Sequence, residues 1–478
     1  MSQTSRARFL NSCSAIDWCS VTGATRVVVI GYGAAGAAAA KYAKAINRSC
    51  TVTVFEKRRY ALYHPCSIPD AIAGTLELSS LIEDPPVTPG LEVRTATVVE
   101  DIDAGGRVVQ ARDLRTGEKL NVEYDALVLA TGSKPSIPRS IRIEDSSGVF
   151  TIKTLEDAES VVEAARKHAA AAVVGGSALG VEIAHALAKR GVRVTLIERF
   201  HQLLPEGLDP EMAKEVEGRL EAEGVALVLG DGVSEIHGEA GAKRVITGGG
   251  RVLEAGFVVL ATGVRANNEL ARRMGLEIGV SGGVRVDNKM AASAHGVYAA
   301  GDVIEVRELL TGKPILNPFA STAYLTGRVA GVNAAGGEAE LEGVLRSWVV
   351  NLGGFKFGAA GLTEAEARNA GFHVLSTVVT VQEKPVFYPD SKPVTVKLIV
   401  DSVDGRLLGT QVVGEGDILD KLNLAAAAIA GGFTIEKLLM LELAYTPSLN
   451  EVFHPLLVAS DALIRLRERK SRKKGSPA

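Results

Sequence analysis

Cysteine is scarce in this chain: four among 478 residues, Cys13, Cys19, Cys50 and Cys66. So few sulfurs over such a length exclude a disulfide-stapled scaffold, and their spacings fit no common zinc pattern. No metal site is expected, and a reducing, cytoplasmic setting is. Aromatic residues are also few, at 5%, so the cores must be built from aliphatic and small side chains. A surplus of one charge is missing: the net charge of −3 leaves no nucleic-acid footprint. Long apolar runs are missing too. The most apolar stretch, 169–187, is broken by glycines, Glu182 and His185, which makes it a buried strand followed by a helix and excludes a membrane partner. Residues 1–20 lack the apolar centre of a secretory signal. Residues 1–24 read as a flexible extension in which Cys13 and Cys19 are incidental thiols.

What is plentiful is glycine, 51 residues, placed after short β-branched runs. The strand 26–30 enters Gly31-Tyr32-Gly33-Ala34-Ala35-Gly36, an alanine-rich helix runs to about 46, and the strand 51–55 ends on Glu56. Strand, G-x-G-x-x-G, helix, strand and an acidic residue about 20 residues on make up the dinucleotide fingerprint in its proper context. Gly31 makes the tight turn, Gly33 lets a pyrophosphate approach the helix N–H groups, and Gly36 lets helix and strand pack closely. Glu56 is placed to accept from ribose hydroxyls. Residues 93–122 alternate with period two around a turn at 103–106 and read as an antiparallel insert. The strand 124–130 then ends in Thr131-Gly132.

The pattern repeats. The strand 171–174 enters Gly175-Gly176-Ser177-Ala178-Leu179-Gly180, a helix runs to about 190, and the strand 192–197 ends on Glu198. The strand 257–261 ends in Thr262-Gly263, like its counterpart before Gly132. Two such units in one chain imply two nucleotides side by side, an arrangement suited to hydride transfer. Ser177 in place of the middle glycine makes the second approach less free. A carboxylate at Glu198 accepts from a 2′-hydroxyl and repels a 2′-phosphate, which favours NADH over NADPH, with Arg199 softening the preference. Further on, 295–302 is a strand into Gly301-Asp302, 317–335 a helix, and 345–413 a β-rich region with one helix at 363–371, whose Thr363-x-x-Glu366 is a capping box. Helices follow at 417–430 and 434–443, and the basic run 465–474 reads as a solvated tail.

Between the two fingerprints lies Cys66. Pro69 suits the first turn of a helix, so the sulfur sits just before a helix start, where free N–H groups and the positive end of the dipole lower a thiol pKa. No second cysteine follows within a turn or two. The commonest fate of a free cysteine is a small core residue; the position between two nucleotide units favours a reactive one.

Over about 24–460 these motifs resemble the flavin-dependent pyridine nucleotide-disulfide oxidoreductases, and Cys66-Ser67-Ile68-Pro69 resembles their single-cysteine branch, which holds coenzyme A-disulfide reductases, NADH oxidases, NADH peroxidases and sulfur or persulfide reductases. The resemblance implies an α/β fold with two Rossmann-like dinucleotide-binding domains, for FAD and for NAD(P)H, plus a C-terminal α+β dimerisation domain. The FAD domain is 25–150 with 265–338, the NAD(P)H domain 151–264, the dimerisation domain 339–460, and 461–478 a basic tail. It implies FAD at Gly31, Gly33, Ala34, Ala35, Gly36, Glu56, Lys57, Thr131, Gly132, Gly301 and Asp302. It implies NADH, with NADPH as an alternative, at Gly175, Gly176, Ser177, Ala178, Leu179, Gly180, Glu198 and Gly263.

By the same resemblance Cys66 is the redox centre. Tyr445, in Leu443-Ala444-Tyr445-Thr446-Pro447, is the proton donor reaching a partner subunit's site in a homodimer. Lys41, Lys44, His64 and Tyr324 are substrate residues, the lysines for coenzyme A phosphates. Several residues depart from the branch. Ala34 stands where oxidases and peroxidases carry a histidine, which favours a disulfide or persulfide substrate. Ser67, Asp70, Ala178, Ser448, Leu449 and His454 also differ. The implied activity is electron transfer from NAD(P)H through FAD to Cys66 and on to a small disulfide or persulfide, coenzyme A disulfide foremost. The alternatives are an NADH oxidase reducing oxygen and a slow-turnover redox-sensing flavoprotein.

Overall fold

The computed structural model describes residues 25–474; the extension 1–24, with Cys13 and Cys19, lies outside the described residues. Two parallel five-stranded sheets repeat one plan. The first runs Val297–Ala299, Ala126–Leu129, Arg26–Ile30, Thr51–Phe55, Leu91–Arg94. The second runs Val149–Thr151, Phe257–Leu260, Ala170–Val174, Arg193–Glu198, Ala226–Leu229. Every pairing within them is parallel. The central strands are continuous β-branched or alanine runs, Val27 to Ile30 and Ala171 to Val174, and are buried along their length, as sheets covered on both faces require. Thr97–Asp103, Val108–Asp113 and Lys119–Glu123 form the antiparallel insert.

The last strand of the first sheet arrives only at Val297–Ala299, so that sheet is completed by chain lying beyond the whole second unit. The helix that follows, Ala320–Ala334, lies against the first fingerprint helix, Ala34–Ile46. A Cβ at Gly327 would stand 2.2 Å from the Ala35 carbonyl oxygen, and one at Gly331 2.2 Å from that of Ala39. This close approach brings Thr326 under the Gly301 turn, where its hydroxyl accepts the Gly301 N–H at 3.0 Å. The sequence predicts this helix from 317. It begins at Ala320, because Pro318 keeps Asn317 out of helical conformation and Phe319 is the extended cap.

The C-terminal region is an antiparallel sheet, Trp348–Leu352, Phe355–Gly361, Leu407–Gly414, Pro393–Asp401, Val374–Gln382, with Thr363 capping Glu364–Asn369 through the expected box. It is joined to the second unit through Lys397. This side chain is buried, and its ammonium lies 2.9 Å from Asp209, 2.8 Å from Glu364 and against Glu211. Burial opposes the charge on Glu364, yet Lys397, Ser376 and Arg368 hold its pKa at about 2. The stretch from 461 is not a free tail as far as Lys474: Pro455–Lys474 is one helix, and Leu456, Ala459 and Leu463 share one face and are buried in the sheet's core. Among the described residues no helix is long and apolar enough to cross a membrane.

Apolar packing divides differently from the chain. The short helix after Cys66, Ile68–Ala73, lies in the first unit's sequence, yet Ile68, Ala71 and Ile72 are buried in the second unit's core beside Val181, Ile183 and Leu187.

Candidate functional site

A cleft of about 2030 Å³ opens at the carboxyl ends of both sheets, where α/β proteins bind nucleotides. In the first unit it is lined by Gly31, Gly33, Ala34, Ala35, Glu56 and Lys57, with Thr131, Gly132, Gly301 and Asp302 opposite. In the second it is lined by Gly175, Ser177, Ala178, Leu179, Glu198 and Gly263. Gly36, Gly176 and Gly180 lie behind this lining. A Cβ at Gly36 would fall 1.9 Å from the Gly31 carbonyl oxygen, and one at Gly180 1.9 Å from that of Gly175.

The first helix presents a bare N-terminus: no side chain caps it, and a Cβ at Gly33 would meet nothing within 4 Å. That open cradle of N–H donors fits a pyrophosphate. The Glu56 carboxylate accepts from Tyr32 N at 2.8 Å and from Arg58 at its backbone N, Nε and a terminal nitrogen, at 2.9, 2.8 and 2.6 Å. Burial works against that charge, but the Arg58 guanidinium keeps Glu56 below the ordinary carboxylate range. Arg58 in turn lies 4.4 Å from the Tyr63 ring centre. Nothing in the fingerprint spacing points to Arg58.

The second unit uses the same geometry with different partners. Glu198 accepts from Gly176 N at 2.6 Å and Phe200 N at 2.9 Å, and it lines the cleft. Phe200 takes the place of Arg58, and Arg199 lies over its ring at 4.5 Å. Ser177 is tolerated because its hydroxyl caps the helix, accepting from Gly180 N at 3.4 Å and donating to Ala261 O at 3.2 Å.

Cys66 sits on the turn Pro65–Ser67 immediately before Ile68–Ala73, open to the cleft. The expected depression of its pKa is not produced by the protein's own groups. Removal from water pushes the thiol up, Glu182 and Asp302 add to this, and Lys153 opposes it. The helix behind the sulfur has six residues and carries Asp70 in its first turn, so its dipole has little to offer. Lys153 carries no signal in the sequence. Its ammonium donates to Asp302 at 3.1 Å and to the Ser133 hydroxyl at 2.9 Å, and Ser133 donates to Asp302 at 2.7 Å.

Glu182, on the second fingerprint helix Ala178–Lys189, also lines the cleft. Burial, and then the Asp70 charge, raise its pKa to about 8. The folded form therefore holds a proton that the unfolded form releases above about pH 4.5, and stability falls as pH rises from there to about 8. Replacing Glu182 by glutamine removes that loss. The variant should gain on the parent by on the order of 1–3 kcal/mol between pH 5 and pH 9. Thermal midpoints of both proteins across that range check this, and a constant difference would count against it.

The four expected substrate residues, Lys41, Lys44, His64 and Tyr324, all line the cleft. Lys41 is exposed, and Tyr324 shares a hydrogen bond with Tyr42, oxygen to oxygen 2.7 Å. The Arg328 guanidinium lies 5.1 Å from the Tyr42 ring centre, a cation that no motif in the sequence singles out. Lys44 lines the cleft beside Lys41, but its ammonium is already engaged. Its buried ammonium donates to the carbonyls of Arg48 at 2.9 Å and Cys50 at 2.6 Å, joining the helix end to the next strand. His64 stands at the rim, 3.1 Å from Glu83. Tyr445 does not line this cleft. It is half exposed, in a stretch of chain that also exposes Met440, Leu449 and Phe453.

The family described as pyridine nucleotide-disulphide oxidoreductase matches residues 25–335, and its dimerisation domain matches 350–457. The chain is 36% identical to the NAD(P)H coenzyme A polysulfide/persulfide reductase of Pyrococcus horikoshii, over 92% of this chain and 98% of that protein. It is 34% identical to a protein of Methanocaldococcus jannaschii named NADH oxidase, over 92% and 99%. The structure of an NAD-dependent persulfide reductase from A. fulgidus superposes with a TM-score of 0.88 at 33% identity, covering 93% of this chain and 84% of that one.

Proposed function

The chain belongs to the pyridine nucleotide-disulphide oxidoreductase family, and from that premise we propose that Cys66 reduces a small disulfide or persulfide, with coenzyme A as the carrier thiol. As a member it is an oxidoreductase that uses FAD and NAD(P)H. The observation that carries the proposal is a single thiol open to a cleft shared by two nucleotide-binding units. Among the described residues the other cysteine, Cys50, is buried, its Sγ facing Ala43 O. Among the described residues Cys66 therefore has no protein thiol at hand, which supports a small molecule as the source of the second sulfur. The names of relatives that act on coenzyme A persulfides support the choice of carrier.

Bound FAD supplies the relay that accepts a hydride from the nicotinamide and passes two electrons to sulfur. In the first step the Cys66 thiolate attacks R–S–S–R. The new bond is Cys66–S–S–R, the old bond breaks, and RS⁻ leaves to take up a proton. Two electrons then cleave the mixed disulfide to the Cys66 thiolate and a second RS⁻, which is protonated in turn. Lys153, the cation that favours the charged sulfur, stabilises the thiolate in both steps. The protein works as a homodimer in which Tyr445, outside its own chain's cleft, donates a proton in the partner's. Lys41, Tyr324 and Arg328 form the cationic and aromatic rim that receives the coenzyme A phosphates.

The test is NADH consumption by purified yellow protein, without oxygen, on addition of coenzyme A disulfide or persulfide. Consumption only in air would instead support oxygen reduction, the reading favoured by the relatives named NADH oxidase. The absence of a histidine at Ala34 weighs against it. Cofactor choice gives a separate expectation. Glu198→Gln keeps an acceptor for Gly176 N–H and removes the charge. NADH should be preferred by the parent, and the NADH-to-NADPH ratio of kcat/KM should fall about tenfold in the variant. Equal efficiency with both cofactors in the parent would sink this.

A further inference from the structure

The helix behind Cys66 has two ends, and its second end is held by the other nucleotide unit. Gly74 terminates Ile68–Ala73 in left-handed conformation, φ 83°, and its N–H closes on Ala71 O and Asp70 O. The carbonyls of Ala71 and Ile72 also accept from the Arg190 guanidinium: one terminal nitrogen lies 3.3 Å from Ala71 O, and Nε donates to Ile72 O. Arg190 is the residue that caps Ala178–Lys189, the helix whose other end lines the cleft at Ala178 and Leu179. A helix of six residues does not hold itself, and a cation across its C-terminal carbonyls is favourable. Together with the shared apolar core, this fastens the cysteine helix to the NAD(P)H unit along its length, although it belongs to the FAD unit by sequence.

We infer that Arg190 is a positioning residue that makes Cys66 move with the NAD(P)H-binding unit, so that occupancy of the nicotinamide site is read at the thiol. The inference rests on the reading of Cys66 as the redox thiol and of Ala178–Lys189 as the nicotinamide-nucleotide helix. It does not depend on which disulfide is the substrate. Arg190 does not line the cleft, so its effect runs through the backbone of Ile68–Ala73.

The experiment uses holoenzyme freed of adducts by dithiothreitol and desalting. The rate of Cys66 alkylation by iodoacetamide is followed by mass spectrometry, with and without saturating NAD⁺. In the parent, NAD⁺ should change the rate at least about fivefold. In Arg190→Gln the effect should shrink to less than about twofold, and Arg190→Lys, which keeps one donor, should restore part of it. NADH-driven ferricyanide reduction, which needs both nucleotides and not the thiol, should stay within about twofold in both variants. A parent rate indifferent to NAD⁺, or an Arg190→Gln protein with the parent's full response, overturns the inference. Should Arg190→Gln lose its flavin, Arg190→Lys decides: a response equal to the parent's overturns the inference, and a reduced one supports it. Disulfide turnover is not read, so a wrong substrate assignment and a wrong role for Arg190 fail separately.

Discussion

A Cys66→Ser protein should lose reduction of coenzyme A disulfide by about 10³-fold or more, the scale on which removal of a catalytic nucleophile acts. Serine is nearly the same size, so the turn Pro65–Ser67 and the helix behind it should be undisturbed. Its hydroxyl does not form the mixed disulfide, and no other described sulfur is near to replace it, since Cys50 is buried against Ala43 O. Both fingerprints are untouched. The variant should therefore stay yellow and should pass electrons from NADH to ferricyanide within a few-fold of the parent. Cys50→Ser is the control and should leave disulfide reduction within a few-fold. The measurement is steady-state turnover with each acceptor. Disulfide reduction by Cys66→Ser at the parental rate would remove the thiol from the mechanism, and loss of ferricyanide reduction as well would mean that the substitution had disturbed the cofactor sites.

The second large effect is expected at Gly180. The methyl group of alanine there would fall 1.9 Å from the Gly175 carbonyl oxygen. The obstacle is backbone, so the turn that receives the nucleotide must itself move. Overpacking of this kind costs about 1–3 kcal/mol, and the displaced turn should weaken NADH binding by roughly 10- to 100-fold. Gly180→Ala should still carry flavin and be bleached by dithionite, but NADH should bleach it only at much higher concentration. Gly36→Ala makes the same contact with Gly31 in the first unit, and it should lose flavin instead. Titration of flavin absorbance with NADH, beside a cofactor count after purification, distinguishes them. Unchanged NADH affinity in Gly180→Ala would show that the turn yields without cost.

The strands at 26–30 and 51–55 are legible in the sequence to the residue because β-branched runs carry their own signal, the first buried from Val27 to Ile30, and the glycine spacing after it leaves little choice of turn. Local capping is equally legible, as at Thr363. The electrostatics around Cys66 are not. Lys153 meets Asp302 across 149 residues, and Arg190 meets Ile72 across 118, distances at which a single sequence carries no pattern. An acidic thiol is the natural expectation because helix position is visible in sequence, while burial and a carboxylate from the second unit are not. The place of Lys44 on its helix suggests an outward cation, but its ammonium turns to the carbonyls of Arg48 and Cys50 beyond the helix end. For Tyr445 a half-exposed position outside the cleft leaves its role to the partner subunit that the proposal invokes.

The interrupted first sheet also sets a timetable. The second unit is contiguous, from Val149 to Leu260, and can close on itself as soon as it leaves the ribosome. The first sheet lacks the neighbour of Ala126–Leu129 until Val297–Ala299 has been made, and its fingerprint helix lacks the Gly327 and Gly331 face for longer still. Units complete within a short span fold first during synthesis, and distant pairings form late. The apolar face of Ile68–Ala73, synthesised early, has its seat in the later unit, so the nascent chain carries Cys66 unplaced until that unit has formed. The first unit's side of the cleft is thus the last part of the nucleotide-binding body to be born, and the thiol is guarded by its neighbour before its own sheet is whole.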